Sequence, residues 1–133
     1  LVTVCSKYSF HEEIIDWERA RERCGNQENS SLVSMETERE WHFVMNLTKK
    51  RKKERWFIGL KIVDGSHAWC WLSGSIAYVN ENSSGTWRWN KGEPNNLETE
   101  KCVEMLQNGK YNNMMCRGEY YDENPGYICE KQV

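Results

Sequence analysis

The sequence predicts a single α+β domain in which two helices precede a set of short, mostly antiparallel strands. Two segments in the first third repeat apolar residues with the helical period. Further along, short aromatic and branched runs are separated by Gly, Asn, Asp and Ser, which is typical of strands and turns. The 133 residues suffice for one modest core. Helices first and strands afterwards favour an α+β order over alternating βαβ units.

The first predicted helix covers residues 16–26. Asp16 is a suitable N-cap, because its carboxylate can accept a hydrogen bond from a free backbone N–H of the first turn. Trp17, Ala20 and Cys24 then follow at i, i+3 and i+7 spacing and form one apolar face. The intervening charged residues are expected to face water.

The second predicted helix begins after Thr37 and ends near Lys49. Thr37 has Glu three residues later, which is the capping-box pattern. Trp41, Val44 and Met45 supply the apolar face. The later change of period predicts strands at 56–60, 68–72, 86–89, 102–106 and 126–130.

Composition excludes some classes of partner. The formal charge is −2, from 18 basic and 20 acidic residues, so the overall balance indicates neither nucleic acid nor an anionic membrane. Residues 49–55, however, hold six bases in seven positions. Two interpretations of this segment are a binding site for a sulfated glycan and a solvated loop between a helix and a strand.

Six cysteines lie at positions 5, 24, 70, 102, 116 and 129, without the close pairs of a zinc ribbon or a redox motif. Disulfides and an extracellular, oxidising compartment are the better interpretation. Glycosylation sequons at Asn29, Asn46 and Asn82 agree with export. No signal peptide and no apolar run near 20 residues is present, so we expect a fragment of a larger secreted or membrane protein.

The most informative segment concentrates Glu and Asn oxygens around Pro94. It starts at Trp89, continues through Glu100, and is followed by a Tyr-Asn-Asn triplet that ends at Asn113. Hard cations such as calcium prefer oxygen ligands, so the segment predicts a calcium site with a sugar site built on it. The alternative is that these asparagines only form tight turns, which Asn favours for backbone reasons.

Several motifs resemble those of the C-type lectin-like domain, in order and over nearly the whole chain. They are Trp17-Glu18-x-Ala20 with Cys24, Leu32-Val33-Ser34, Trp56-Phe57-Ile58-Gly59-Leu60, Trp69-x-Trp71-x-x-Gly74, Trp87-x-Trp89-x-x-Gly92-Glu93-Pro94-Asn95-Asn96, Cys102-Val103-Glu104, Gly109-x-Tyr111-Asn112-Asn113-x-x-Cys116 and Tyr127-Ile128-Cys129-Glu130.

The resemblance implies a double-loop α+β fold stapled by two disulfides. Cys24 would pair with Cys129, and Cys102 with Cys116. Cys5 and Cys70 are then left over, and a bridge between them follows by elimination only. The alternatives are a partner cysteine outside this sequence or an intermolecular bridge.

The resemblance also implies a ligand set. Glu93, Asn95, Glu100 and Asn112 match residues that bind both calcium and vicinal sugar hydroxyls in sugar-binding members. A cis proline between Glu93 and Asn95 would aim the two side chains at one point. The order Glu-Pro-Asn is the family pattern for mannose-type sugars, namely mannose, fucose, glucose and N-acetylglucosamine.

One departure concerns the fifth ligand. The family has Asp where this chain has Asn113, which keeps a side-chain oxygen and the backbone carbonyl as candidate calcium ligands but loses a full charge. The number of carboxylates therefore falls from three to two, and weakened calcium binding is expected. A second calcium site found in some members is expected to be absent, because Ile62 and Lys101 stand where acidic ligands are needed.

These observations support a calcium-dependent carbohydrate-recognition domain as the leading hypothesis. The alternative is a calcium-independent module of the same fold that binds a protein ligand as a cell-surface receptor. An enzyme is disfavoured, because no nucleophile is placed beside a histidine and the cysteines are expected in bridges. Most tryptophans are expected in the core, and Trp87, beside the loop, is the one to test for sugar stacking.

Overall fold

The computed structural model describes residues 5–74, 88–118 and 125–133, and these contain two helices and one mixed sheet. The helices are α1 (Trp17–Gly25) and α2 (Glu38–Thr48). The strands are β1 (Ser6–His11), β2 (Ser30–Leu32), β3 (Arg55–Ile62), β4 (Trp69–Trp71), β5 (Cys102–Leu106), β6 (Tyr111–Met114) and β7 (Gly126–Gln132). The predicted α+β architecture is confirmed.

Both helices begin where the caps predict. The Asp16 carboxylate accepts a hydrogen bond from Arg19 N at 2.9 Å, and the Thr37 hydroxyl accepts one from Glu40 N at 3.1 Å. Trp17 and Ala20 on α1 are fully buried, and the Trp17 indole N–H donates to the Ile58 carbonyl of β3 at 2.8 Å. Neither helix is long and apolar enough to cross a membrane, within the residues described.

The strands form a path in the order β1-β7-β3-β5-β6, with β2 also paired to β7 and β4 to β3. All of these pairs are antiparallel except β3 with β7, which is parallel. This arrangement places β5 and β6 at the end of the sheet that carries the candidate site. Trp89 joins it through an isolated bridge to Tyr111.

Three strands of the structure were not predicted, and one predicted strand lies partly outside the described residues. β1, β2 and β6 were not expected, and of the predicted strand at 86–89 only Arg88 and Trp89 are described. The partly buried positions of β1 include the polar Ser6 and His11 beside Tyr8 and Phe10, and two of the four residues of β6 are asparagines. Such weak alternation is stabilised by cross-strand pairing, which a local pattern does not reveal.

The core contains the predicted tryptophans. Trp56, Trp69, Trp71 and Trp89 are buried, and Trp41 is half-buried against the same cluster. A smaller cluster around α1 includes both bridges of the fold. Trp87 lies outside the described residues.

The structure contains the two disulfides that the resemblance implies, Cys24–Cys129 and Cys102–Cys116. The bridge by elimination is wrong, because Cys5 and Cys70 are both free thiols. The Cys5 carbonyl accepts a hydrogen bond from Val133 N beyond the end of β7, whereas Cys70 is paired with Lys61 of β3, so the two thiols belong to different parts of the sheet.

Gly59 allows β3 to pass close to the segment after β2. A Cβ atom at this position would lie 2.7 Å from the Leu32 carbonyl oxygen and 2.8 Å from the Val33 carbonyl oxygen. Because both atoms belong to backbone, we expect Gly59→Ala to lower the free energy of unfolding by about 1–3 kcal/mol in urea denaturation. Gly25→Ala is the matched control, since a Cβ there meets nothing within 4 Å. Equal stability of the two variants would contradict this packing.

Candidate functional site

The candidate site lies in residues 90–100, between Trp89 and the start of β5. Both ends of this segment are attached to the sheet. Asn90 N donates to the Tyr111 carbonyl at 2.8 Å, and Ile62 N donates to the Lys101 carbonyl at 2.9 Å. Tyr111 is fully buried under the segment's N-terminal end. The sheet therefore fixes where the loop starts and where it returns.

Two turns shape the loop. Glu93 N donates to the Asn90 carbonyl at 2.9 Å, and the Glu93–Pro94 peptide bond is cis. Asn96 has a φ of 49°, and its carbonyl accepts from Thr99 N at 3.0 Å and from Glu100 N at 2.9 Å. Asn96 is thus a turn former of the kind the alternative interpretation described. Its neighbour Asn95 has a different role.

The Asn95 carboxamide lies between two carboxylates. One of its terminal atoms is 2.9 Å from Glu93 Oε1 and 2.9 Å from Glu100 Oε1. With the amide nitrogen at that position, Asn95 donates a hydrogen bond to each carboxylate. With the amide oxygen there, three oxygen atoms stand side by side. The second arrangement requires a cation and matches the oxygen ligands that calcium prefers.

The two carboxylates are close enough to repel each other. Partial burial, followed by the negative charge of Glu100, raises the pKa of Glu93 above its usual range. A bound cation would relieve this repulsion, since it attracts both charges. The local electrostatics therefore fit a positive ion, and Glu93, Asn95 and Glu100 are the residues that could hold it.

Asn113 is placed differently from the expected fifth ligand. It is 1% exposed, and its Nδ2 donates to the Glu100 carbonyl at 2.8 Å and also to the Asn95 carbonyl. Its Oδ1 accepts from Asn95 N at 3.0 Å. The side chain therefore clamps both halves of the loop to β6. An aspartate could not donate these two hydrogen bonds. Asn at this position therefore lacks the negative charge of Asp but holds the loop backbone through its amide.

Asn112, the next residue back on β6, points its amide nitrogen into the sheet. Its Nδ2 donates to Glu104 Oε2 at 2.7 Å, and its Oδ1 is left as an acceptor. Glu104 is 2% exposed, and burial raises its pKa despite the opposing effects of Asn112 and Arg55. In the sequence, Glu104 stands out only as the last residue of the Cys102-Val103-Glu104 motif. Its place between Val103 and Met105, both fully buried, was the available signal.

The candidate metal ligands combine two carboxylates with neutral amide groups. In the described part of the chain no three His, Cys, Asp or Glu side chains are grouped so as to hold a metal ion. The candidate set accordingly depends on amide oxygens beside Glu93 and Glu100. Such a set suits a hard cation such as calcium, which accepts carbonyl-type oxygens.

Comparison with known proteins decides the family. The model of the lectin C-type domain matches residues 13–131, which is nearly the whole chain. The chain belongs to the C-type lectin domain family. The order of motifs in the sequence and the two disulfides of the fold agree with this assignment.

Curated relatives of this C-type lectin domain are longer proteins. It is 31% identical over 127 residues to the hepatic lectin of Gallus gallus, covering 95% of this chain and 55% of that protein. It is 33% identical over 126 residues to the low affinity immunoglobulin epsilon Fc receptor of Mus musculus, covering 93% of this chain and 33% of the receptor. The chain therefore spans between a third and about half of the length of these relatives.

Solved structures show the same fold. The carbohydrate-recognition domain of the mouse scavenger receptor C-type lectin has a TM-score of 0.75 at 26% identity, with 96% of this chain and 88% of that chain covered. The cow C-type carbohydrate-recognition domain of CD23, solved in the presence of GlcNAc2Man3 oligosaccharide, has a TM-score of 0.72 at 30% identity, covering 96% of this chain and 88% of that one.

The other sequence features lie elsewhere on this C-type lectin domain. In the basic segment, the Arg51 guanidinium stacks over the Phe10 ring at 4.4 Å, and Arg55 Nε lies 3.4 Å from Glu104 Oε1. Two of the six bases therefore support the fold, whereas Lys49, Lys50 and Lys52 are exposed. Sulfated-glycan binding there stays a prediction.

Two of the predicted glycosylation sites are on the described surface. Asn29 is exposed at a loop position with a φ of 60°, and Asn46 is exposed on α2. The hydroxyl of Thr48, which completes the Asn46 sequon, is buried and donates to the Met45 carbonyl at 2.6 Å. Asn82 lies outside the described residues. Glycosylation at these positions stays a prediction.

Proposed function

We propose that this domain recognises mannose-type glycans through a calcium ion held by Glu93, Asn95, Glu100 and Asn112. The observation that carries the proposal is the Asn95 carboxamide placed 2.9 Å from both carboxylates. The presence of an oligosaccharide of GlcNAc and mannose with the CD23 domain supports the class of sugar. We further propose that the domain is extracellular, binds without turnover, and is part of a larger receptor or secreted lectin.

Each side chain has a defined task in this proposal. When bound, calcium would supply coordination positions for two neighbouring sugar hydroxyls. Glu93 and Glu100 supply negative charge and accept hydrogen bonds from those hydroxyls. Asn95 and Asn112 supply amide oxygens, and the N–H groups of Asn95 can donate to a hydroxyl oxygen. Asn113 contributes by holding the Asn95 and Glu100 backbones in place.

A glycan array with and without a calcium chelator tests the proposal. We expect binding to mannose-, fucose-, glucose- or N-acetylglucosamine-terminated glycans that disappears with chelator and is competed by free mannose more strongly than by free galactose. Glycan binding that persists in chelator, or a preference for galactose, would contradict it.

The alternative is a calcium-independent module that binds a protein ligand. The Asn113 clamp favours it, because three hydrogen bonds hold the loop without any ion. A surface that is already ordered can bind a partner without the cost of ordering the loop. The two functions differ in their response to one substitution at this residue.

Asn113→Asp is expected to make loop stability depend on calcium. In chelator, the new carboxylate would face the carbonyl oxygens of Asn95 and Glu100, and we expect a loss of about 2–4 kcal/mol in the free energy of unfolding, because two buried hydrogen bonds are lost. With calcium, the added charge should raise calcium affinity and restore the melting temperature. Melting curves with chelator and with calcium measure both effects.

Asn96→Asp is the matched control, because it adds the same charge at an exposed position of the same loop. A melting temperature of Asn113→Asp that is independent of calcium would argue against a calcium site here. Unchanged partner binding by that variant, with a large gain in calcium affinity, would instead favour the protein-binding alternative.

A further inference from the structure

Glu104 is a buried carboxylate beneath the candidate site. It is 2% exposed in β5, between two fully buried apolar residues. Its Oε2 accepts a hydrogen bond from Asn112 Nδ2 at 2.7 Å. Its Oε1 has no hydrogen-bond partner among the described residues and lies 3.4 Å from Arg55 Nε. The carboxylate thus connects the basic segment on one side with a proposed calcium ligand on the other.

Burial of a carboxylate at this depth has a large desolvation cost. Removing an ion from water costs on the order of several kcal/mol. An apolar residue of similar volume often stabilises a core equally well. One ion pair with a partly exposed arginine offsets only a part of that cost. Stability alone therefore gives a weak reason for glutamate between Val103 and Met105, and a role at the site gives a better one.

The contact with Asn112 supplies that role. Glu104 and Asn112 are directly paired across β5 and β6, so their side chains lie on the same face of the sheet. An ionised carboxylate can only accept, so it holds the nitrogen end of the amide and leaves the oxygen end directed away from itself. A hard cation binds the oxygen end, and partners of metal ligands commonly fix ligand orientation in this way.

We propose that Glu104 is a positioning residue that fixes the Asn112 amide with its oxygen available to the calcium ion. The role rests on the proposed function, because Asn112 must be a ligand for its orientation to matter. In the absence of the carboxylate, the amide can rotate and present either end. Glu104 then acts on calcium through Asn112, without contact with the ion.

The test uses calcium titration calorimetry on the whole domain with Glu104→Met, Glu104→Gln and Asn112→Ala. Met removes the acceptor while filling the core, so the variant should remain folded, which melting in chelator checks. We expect Glu104→Met to weaken calcium binding by about 10–100-fold.

Two further variants are controls for this effect. Glu104→Gln keeps an acceptor oxygen, and we expect its calcium affinity to be close to that of the wild type. Glu98→Met, at an exposed position of the same loop, is the control and should change affinity less than about twofold.

A double-mutant cycle separates positioning from charge. In the Asn112→Ala background, Glu104→Met should cause no further loss, because the amide on which it acts is gone. The side-chain amide protons of Asn112 should also shift in the calcium-free NMR spectrum of Glu104→Met and stay in place in Glu98→Met.

Several results would overturn this role. They are additive losses in the cycle, equal losses for Gln and Met at position 104, or wild-type affinity for Glu104→Met. If wild-type protein binds calcium and the losses are additive, only the positioning role fails. If wild-type protein binds no calcium, both the proposed function and the positioning role of Glu104 fail.

Discussion

Replacing Glu93 with glutamine is expected to weaken calcium binding by on the order of a hundredfold. The substitution removes one of the two carboxylates that flank Asn95. Two unit charges about 4 Å apart attract each other by about 4 kcal/mol at an effective dielectric constant near 20, and desolvation of the carboxylate offsets part of its larger attraction to a dication. Each loss of about 1.4 kcal/mol weakens binding about tenfold. Calorimetric titration of both proteins measures the change, and glycan binding should fall with it.

The matched control for Glu93 is Glu98→Gln. Glu98 is an exposed residue of the same loop, so its neutral variant loses the same formal charge at a screened position. We expect its calcium affinity to stay within about twofold of wild type. A loss of less than about fivefold for Glu93→Gln, or equal losses for the two variants, would mean that Glu93 is not a ligand.

Removal of the Cys24–Cys129 disulfide is expected to have the largest effect on stability. The two cysteines are 105 residues apart, and a cross-link that closes a loop of about 100 residues restricts the unfolded chain by about 4.7 kcal/mol in the chain-entropy model. We expect Cys24→Ala with Cys129→Ala to lose about 4–5 kcal/mol in urea denaturation. That loss is a large part of the total stability of a domain of this size.

The Cys102–Cys116 disulfide provides the comparison. Its cysteines are 14 residues apart, so the same relation gives about 3 kcal/mol for its removal. This bridge starts two residues after Glu100, and we expect its loss to weaken calcium binding as well. If the two double variants have the same stability, loop closure is not the main source of the stabilisation.

The helices could be predicted from sequence because their signals are local. Asp16 and Thr37 cap the helices they precede, and the apolar faces of α1 and α2 follow the helical period. β1 was missed because it is stabilised by pairing with the distant β7, and β6 was missed because two of its four residues are asparagines, which are depleted in strands. The Cys5–Cys70 bridge was wrong because elimination takes no account of the strand beside each cysteine, which is β7 for Cys5 and β3 for Cys70.

The residues of the candidate site could be predicted from the sequence, but several of their contacts could not. The sequence pattern indicated Glu93, Asn95 and Glu100, and the structure brings these three together. The use of Asn113 as a clamp depends on which backbone atoms face its amide, which no spacing reveals. Glu104 was overlooked as a site residue because its importance comes from its contact with Asn112 on the adjacent strand β6.

The most direct test is calorimetric titration of the metal-free wild-type domain with calcium. The proposed site predicts one calcium ion per chain, with a Kd on the order of 10⁻³ M, the weak end of the range for extracellular modules, because only two carboxylates flank it. It also predicts that the binding heat disappears in Glu93→Gln. A folded wild-type domain that shows no saturable heat up to about ten times that concentration, or the same heat with Glu93→Gln, would contradict the calcium site.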